Sequence, residues 1–458
     1  MAKIVIAGGG WAGCAAAIRC VKAGHKVVLL EKTDLLIGLG NVGGIMRNNG
    51  RYTAAEENIC MGAGELFEIT DRLAIHRNIN FPGHEHGWFY DVILVEPEVR
   101  RLLIKLGVEI KFMCRAVDIV LEDDSHSDEI LCESIGKKRR KIVAVEAICI
   151  KDGEYSKIRI DGDVFIETTG SAGPMGNCAR YGRGCGMCIL RCPAFGPRVS
   201  LTEKGGVPDY SGERDNGLPG AFSGSCKLEK RSLDKELQKK LDTYGFAVVP
   251  IDKSLVNKEK LSQKVCQQYA LSEFAENIVL IDTGYAKLMS PFFELEKLRT
   301  VEGFENARFA DPYAAGKSNS LRYMSVGHCD LTMRADGYEN LFLGGEKAGL
   351  FVGHTEAITT GSLAGYNATL MAKKIKSESA QSFPAEKLLR LPEEAAVGRI
   401  IKMQQKSLES ESGMRKRFTF AGGEFFEDMK KYGLYSTDLE KIESHMEELG
   451  LTNIYNAI

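Results

Sequence analysis

Three things are missing from this sequence: an excess of charge of either sign, an apolar run long enough to span a bilayer, and a cleavable leader. Each absence removes a class of function. Lys and Arg number 60 against 62 Asp and Glu, a formal net charge of −2, so no global basic field draws the chain to nucleic acid or an anionic membrane. A local basic face remains compatible with those totals. No stretch approaches the roughly 20 consecutive apolar residues of a membrane helix, and the N-terminus enters a strand directly, without the regions of a signal peptide. The expectation is therefore a cytoplasmic protein with no membrane partner and with nucleic acid not expected as a partner. What is present is the composition of a globular protein, 44% hydrophobic and 27% charged, in a chain of 458 residues, too long for one ordinary core and predicting two or three domains.

The opening thirty residues carry the densest signal. Lys3 to Ala7 reads as a buried parallel strand, Cys14 to Ala23 as an Ala-rich helix closed by Gly24, and between them Gly8, Gly10 and Gly13 fit G-x-G-x-x-G around Trp11 and Ala12. The first glycine permits a tight turn, the second lets a pyrophosphate approach the backbone, and the third lets helix and strand pack closely. The helix N-terminus adds unpaired N–H groups and a partial positive charge. A second strand, Lys26 to Leu30, ends in Glu31 beside Lys32. Glu31 is placed to accept hydrogen bonds from both ribose hydroxyls of an adenosine. Together these pieces predict a dinucleotide site.

Further along, Gly40, Asn41, Gly43 and Gly44 form a glycine cluster where backbone would pass beside a flat ring. Residues 54 to 76 read as helical and carry Cys60, a candidate flavin-side thiol set against plain helix-end packing. Phe81 to Trp88, with His84 and His86, reads as a surface loop, and Pro97 to Leu106 as an amphipathic helix. An acidic run (Glu122 to Asp124) and a basic one (Lys137 to Lys141) sit in a strand-rich stretch as solvated turns. Asp161 to Gly170 is a buried strand whose Thr169-Gly170 ending is expected over the cofactor, and Glu339 to Glu346 repeats that pattern with Gly345 and Glu346. Gly353, His354 and Thr355 open a small-residue helix to about Lys374 whose N-terminal donors suit a flavin carbonyl. His354 and His328 are the candidate proton donors. Arg198 is read either as an anion clamp or, more commonly for such a residue, as exposed.

The blocks Gly337 to Glu346, Gly353 to Ala357 and Gly361 to Ala368, taken with the first 45 residues, look like the glutathione-reductase-type FAD fold and resemble the glucose-inhibited division protein A family, which includes the folate- and FAD-dependent tRNA uridine methyltransferase. The resemblance implies an α/β fold: a Rossmann-type FAD-binding domain over 1–170 and 313–376, an inserted α+β domain over 171–312, and a helical C-terminal module over 377–458. It also implies that Gly8, Gly10, Gly13 and Glu31 hold the ADP half of FAD, that Val117 touches adenine through its backbone, and that Glu346 lies near the ribityl and pyrophosphate.

The middle departs from that family. Cys178, Cys185, Cys188 and Cys192, followed by Pro193, resemble the ferredoxin run C-x2-C-x2-C-x3-C-P with a first spacing of six in place of two. A [4Fe-4S] cluster is the expectation. Zinc, which usually takes two C-x2-C knuckles, redox disulfides and packing stand as alternatives, and Cys226 competes with Cys178 as fourth ligand. Cys14, Cys20 and Cys149 are expected to be buried thiols. Three functions follow. The first is an oxidoreductase passing electrons between cluster and FAD for a small-molecule substrate, with a redox partner protein and a homo-oligomeric or complex-bound state. The second is an FAD- and folate-dependent RNA uridine-modifying enzyme. The third is an electron-transfer subunit, weakened by the lack of further ferredoxin modules.

Overall fold

The structure is a computed structural model and describes residues 1–122, 139–171, 196–213, 221–222, 226–258, 261, 270–289, 293–310, 321–322, 325–376 and 388–457. The cysteine run at 178, 185, 188 and 192 lies outside the described residues, as does the side chain of Cys226.

A five-stranded sheet organises the chain, in the order Leu341–Leu343, Val164–Glu167, Lys3–Ala7, Lys26–Leu30, Glu109–Lys111. All its neighbours pair in parallel. Burial on both faces explains why the strands read as nearly unbroken apolar runs: Ile4, Ile6, Leu29 and Ile166 are buried on one face and Val5, Val28, Phe165 and Leu341 on the other. One face is covered by two helices, Trp11–Lys22 and His354–Lys376. They meet backbone to backbone: a Cβ at Gly361 would stand 2.3 Å from the Ala12 carbonyl oxygen, and one at Gly365 2.7 Å from Ala16 Cα. The carboxyl ends of four strands collect Gly8–Gly10, Glu31, Thr168–Gly170 and Gly344–Glu346 along one edge, the usual place for a ligand in such a sheet.

Around this core, among the described residues, sit two two-stranded ladders, Tyr210–Ser211 with Ser325–Val326 and Ala221–Phe222 with Leu321–Arg322, and three antiparallel sheets of three or four strands. One is a meander of Cys114–Leu121, Ile142–Lys151 and Glu154–Asp161. Cys149 is not a free buried thiol there: it faces Cys114 directly across two paired strands and forms a disulfide with it. A second sheet joins Ile45–Arg47, His84–Tyr90 and Ala74–Phe81. The span 54 to 76 is therefore not one helix. It holds the helix Gly50–Cys60, the helix Glu65–Arg72 and the start of a strand, and the expected loop at 81–88 is a tight hairpin turning at Gly83, φ +72°. Repeated register shifts in the hairpin break the apolar alternation that would have announced it. The third sheet, Cys226–Leu228, Ala286–Leu288, Asn277–Asp282 and Phe246–Pro250, has the helix Lys235–Tyr244 on it and its own apolar cluster.

The C-terminal helices Ala396–Leu408, Gly423–Lys431 and Leu439–Glu448 are bound to the core through buried acids. Glu356 accepts from Arg51 Nε at 3.1 Å, Thr419 Oγ1 at 2.8 Å and Phe420 N at 2.8 Å. Glu57 accepts from Ala396 N at 3.0 Å and Val397 N at 2.9 Å, occupying the positive end of the helix that begins there. Burial pushes the Glu57 carboxyl up to about 7 against the pull of those two N–H groups. A carboxyl whose folded value is raised takes up protons on folding, so its contribution favours the folded state as pH falls from about 7 toward the ordinary value near 4.3. Hydrogen exchange at residues 396–400 is therefore expected to show stronger protection at mildly acidic than at mildly alkaline pH after correction for intrinsic rates, and Glu57→Gln is expected to flatten that dependence.

Candidate functional site

At the glycine turn, the first helix starts at Trp11 after Gly10, with no capping side chain and no acid in its first turn among the described residues. Its leading N–H groups point where the glycine turn leaves space. The three glycines of the turn have different reasons. Gly8, at φ +105°, and Gly13, whose Cβ would sit 1.9 Å from the Gly8 carbonyl oxygen, are required by the protein itself. Gly10 is not: its φ is an ordinary −66°, and among the described residues no heavy atom lies within 4 Å of its missing Cβ. The space over Gly10 is open to a molecule passing across the turn.

Glu31 is buried and faces the same turn, accepting from Gly9 N at 2.8 Å, from Thr33 N at 2.8 Å and from Thr33 Oγ1 at 2.9 Å. Burial raises its carboxyl, while those donors hold it down. One oxygen takes two of these bonds and the other only one, which leaves acceptor capacity for a ribose hydroxyl. Val117 sits at a bulge, where the pairing of its strand shifts register between Ala116 and Asp118. Bulges free backbone groups from the ladder and recur beside binding sites. Lys32 reaches across to the carbonyl of Gly196 at 3.3 Å.

The glycine cluster has a use that the sequence did not disclose. The Trp11 indole fills the place of a Cβ at Gly40, 2.5 Å from its Nε1, and the His354 ring fills that of Gly43, with Cε1 at 1.7 Å. Asn41 Nδ2 ties the turn to Leu36 O at 2.7 Å. Two lysines of the third antiparallel sheet hold its carbonyls: Lys227 on Asn41 O at 3.2 Å and Lys287 on Gly43 O. Tyr90, which no sequence signal marked, joins Trp11 and His354 in one aromatic group, with centroids 6.2 and 6.1 Å away. Thr355 anchors the helix start by donating to Met46 O at 2.8 Å, and Gly353, at φ +145°, has Glu356 and Arg51 where a side chain would go.

Between these halves, Gly170 (φ +74°) and Gly345 (φ +66°) turn the chain at two adjacent strand ends. Ser171 donates to Glu346 at 2.6 Å, and Thr169 to Glu167 at 2.9 Å. Beneath them lies a buried charge cluster. Lys347 donates to Asp209, to Ser200 Oγ at 2.8 Å and to Thr202 Oγ1 at 2.9 Å, and stands 3.7 Å from Glu167. Glu167 accepts from Leu201 N at 3.0 Å and Thr202 N at 3.2 Å. Arg198 is not exposed: it is buried, with Nη2 3.0 Å from Asp209. The cluster ties the chain on both sides of 172–195 to the strand end that carries Glu346.

The structure thus gathers Gly8, Gly10, Trp11, Ala12, Gly13, Glu31 and Lys32 at one end of the sheet edge, and Gly40, Asn41, Gly43, His354 and Thr355 at another. It leaves two candidates apart from His354. His328 stacks on Tyr210 at 3.7 Å and faces Asp336 at 3.6 Å. Cys60 ends its helix against the C-terminal segment, where Asn453 N donates to its carbonyl at 2.7 Å. Burial and the nearby carboxylates of Glu443, Glu56 and Glu57 raise its thiol to about 11, the opposite of what a reactive thiolate needs.

The model of the glucose inhibited division protein A family matches residues 3–287 and 276–376. The chain belongs to this family. Aquifex aeolicus GidA, solved in two crystal forms, is similar in fold: form II with TM-score 0.58 and 15% identity over 98% of this chain and 76% of that one, form I with TM-score 0.54 and 14% identity over 98% and 78%. No curated relative matches the sequence. This GidA-family chain is an FAD-dependent oxidoreductase, and the open space over Gly10, the uncapped helix start and the acceptor at Glu31 fit FAD. Among the described residues there is no group of His, Cys, Asp or Glu placed to hold a metal ion, and no helix is long and apolar enough to cross a membrane.

Proposed function

We propose that this chain is an RNA-modifying member of its family, using reducing equivalents from FAD on a folate-borne carbon delivered to a uridine. The observation that carries this reading is the family match across residues 3–376. FAD, when bound, supplies the hydride chemistry. Gly8, Gly10 and Gly13 with the first helix would hold its pyrophosphate, Glu31 its ribose and the Val117 bulge its adenine. Gly40, Gly43, Trp11 and His354 would wall the redox end. With a near-zero net charge, RNA recognition would fall to local basic surfaces.

A second reading keeps the same cofactor and adds a [4Fe-4S] cluster at Cys178, Cys185, Cys188 and Cys192, feeding a small-molecule reaction. The spacing of that cysteine run favours it. So does the tethering of its flanks, Ser171 to Glu346 and Gly196 to Lys32, against the cofactor residues.

One preparation separates the two. Protein purified anaerobically is assayed for flavin, iron and zinc, then incubated with reduced folate and unmodified tRNA before nucleoside mass spectrometry. Flavin without iron and a methylated uridine are the expected results. About four irons per chain, lost in Cys185→Ser with flavin retained and no modified uridine formed, would replace the RNA reading by the relay.

A further inference from the structure

His354 and Tyr90 share a hydrogen bond whose direction is decided by a third group. The Tyr90 hydroxyl oxygen lies 2.8 Å from the carbonyl oxygen of Gly40 and 3.1 Å from Nδ1 of His354. A carbonyl can only accept, so the single hydroxyl proton of Tyr90 goes to Gly40. The hydroxyl oxygen is then the acceptor toward His354, and Nδ1 carries the proton. In a neutral imidazole this leaves Nε2 with its lone pair bare.

The surroundings keep the ring neutral. Arg51, paired with Glu356, and Lys287, on the carbonyl of Gly43, are the charged groups beside it. Burial first, then these two cations, hold His354 well below the ordinary histidine value. Tyr90 has little freedom to reorient: it is fully buried, with the Trp11 ring set edge-on to it at 87°. The His354 ring is half-buried and is held in place where a side chain of residue 43 would be.

We infer that Tyr90 is a positioning residue that locks His354 in the Nδ1–H tautomer, so that His354 serves the cleft through Nε2 as a hydrogen-bond acceptor and base and not as its proton donor. The ligand chemistry that matches a bare Nε2 is an imide N–H, which the flavin ring and a uracil ring both carry. This deepens the reading of the cleft as the flavin site and rests on it. It reverses the role expected of His354 from sequence.

The test uses the full-length protein, FAD-free and FAD-loaded, with 15N-labelled histidine and long-range proton–nitrogen correlation spectra, His354 being assigned as the resonance pair missing from His354→Gln. The expected spectrum shows a protonated Nδ1 and a bare Nε2 from mildly acidic to mildly alkaline pH. Tyr90→Phe, which removes only the hydroxyl, is expected to turn that single state into a tautomer mixture. A shift of Nε2 on FAD loading assigns the imide to the flavin; a shift only on adding uridine monophosphate assigns it to the pyrimidine. An Nε2–H tautomer or an imidazolium in the wild type overturns the inference, as does an Nε2 that moves with neither ligand or a Tyr90→Phe spectrum identical to the wild type. Should Tyr90→Phe fail to fold, the wild-type spectrum decides. Protein that carries no flavin would refute the cofactor reading separately, since the tautomer is read without it.

Discussion

Replacing Lys347 by methionine is expected to cost about 3–5 kcal/mol, the usual loss when one partner of a buried ion pair is removed and its counter-charge stays behind. Lys347 and its partners Asp209 and Glu167 have fully buried side chains, so water cannot compensate. The ammonium makes three hydrogen bonds, to Asp209, Ser200 and Thr202; its loss removes a cationic donor from each, while Arg198, Ser200, Thr202 and Ser325 go on donating to Asp209. Lys347 and Arg198 hold the Asp209 carboxyl well below the ordinary range despite its burial, while burial drives the Glu167 carboxyl upward with Lys347 opposing. For Asp209 the folded value is depressed, so its stabilisation is complete above about 3.9 and fades as pH falls toward its lowered value. The gap between wild type and Lys347→Met should therefore be widest near neutrality and narrow in acid. Glu167→Gln added to Lys347→Met should recover part of the loss, because Asp209 keeps Arg198 as its partner whereas Glu167 loses its one ion-pair partner among the described residues. Hydrogen exchange at residues 198–204 and 341–348, with thermal unfolding, reads each variant. Equal stability of Lys347→Met and wild type at neutral pH would show that the cluster holds nothing together.

The cluster also shows where reading the sequence reaches its limit. Gly8 to Glu31 was legible because every part of the motif lies within one strand–helix–strand unit, and the family resemblance extended that reading to the second helix. Lys347 was not, since its partner Asp209 is 138 residues away and nothing in the surrounding sequence of either announces the other. The link between Tyr90 and His354 spans 264 residues, and that between Arg51 and Glu356 spans 305. Glu167 and Lys347 did carry a faint signal, as charged residues next to the two Gly-turn strand endings. At Gly40 and Gly43 the sequence predicts backbone passing close to a flat ring, and the groups that approach there include the chain's own Trp11 and His354. For Arg198 the sequence leaves open a clamp for a carboxylate or phosphate and an exposed arginine, and only the fold, with Asp209 against it, decides for the buried carboxylate pair.

Gly10→Ala and Gly13→Ala should fail in opposite ways, and the contrast tests whether the turn is built for a ligand. At Gly13 a methyl would lie 1.9 Å from the carbonyl oxygen of Gly8 and 2.8 Å from Thr168 Oγ1. Those atoms belong to the first strand's turn and its neighbour, which Thr168 Oγ1 ties together by donating to Gly8 O at 2.7 Å. The helix is also held laterally, because Gly361 and Gly365 let the helix His354–Lys376 pack backbone to backbone beside it. Overpacking so confined is expected to cost upward of about 3 kcal/mol in the protein without cofactor. At Gly10 the same methyl meets open space on an unstrained backbone, so the cofactor-free protein should lose less than about 1 kcal/mol, the scale of an unfavourable helix cap. The methyl would instead stand in the path of a pyrophosphate, and overpacking of about 1–3 kcal/mol corresponds to FAD binding roughly 10- to 100-fold weaker. Thermal unfolding of the cofactor-free variants and quenching of flavin fluorescence on titration separate the two effects. A Gly10→Ala protein that binds FAD as tightly as the wild type would mean that no phosphate crosses the turn, and the assignment of Glu31 to a ribose would fall with it.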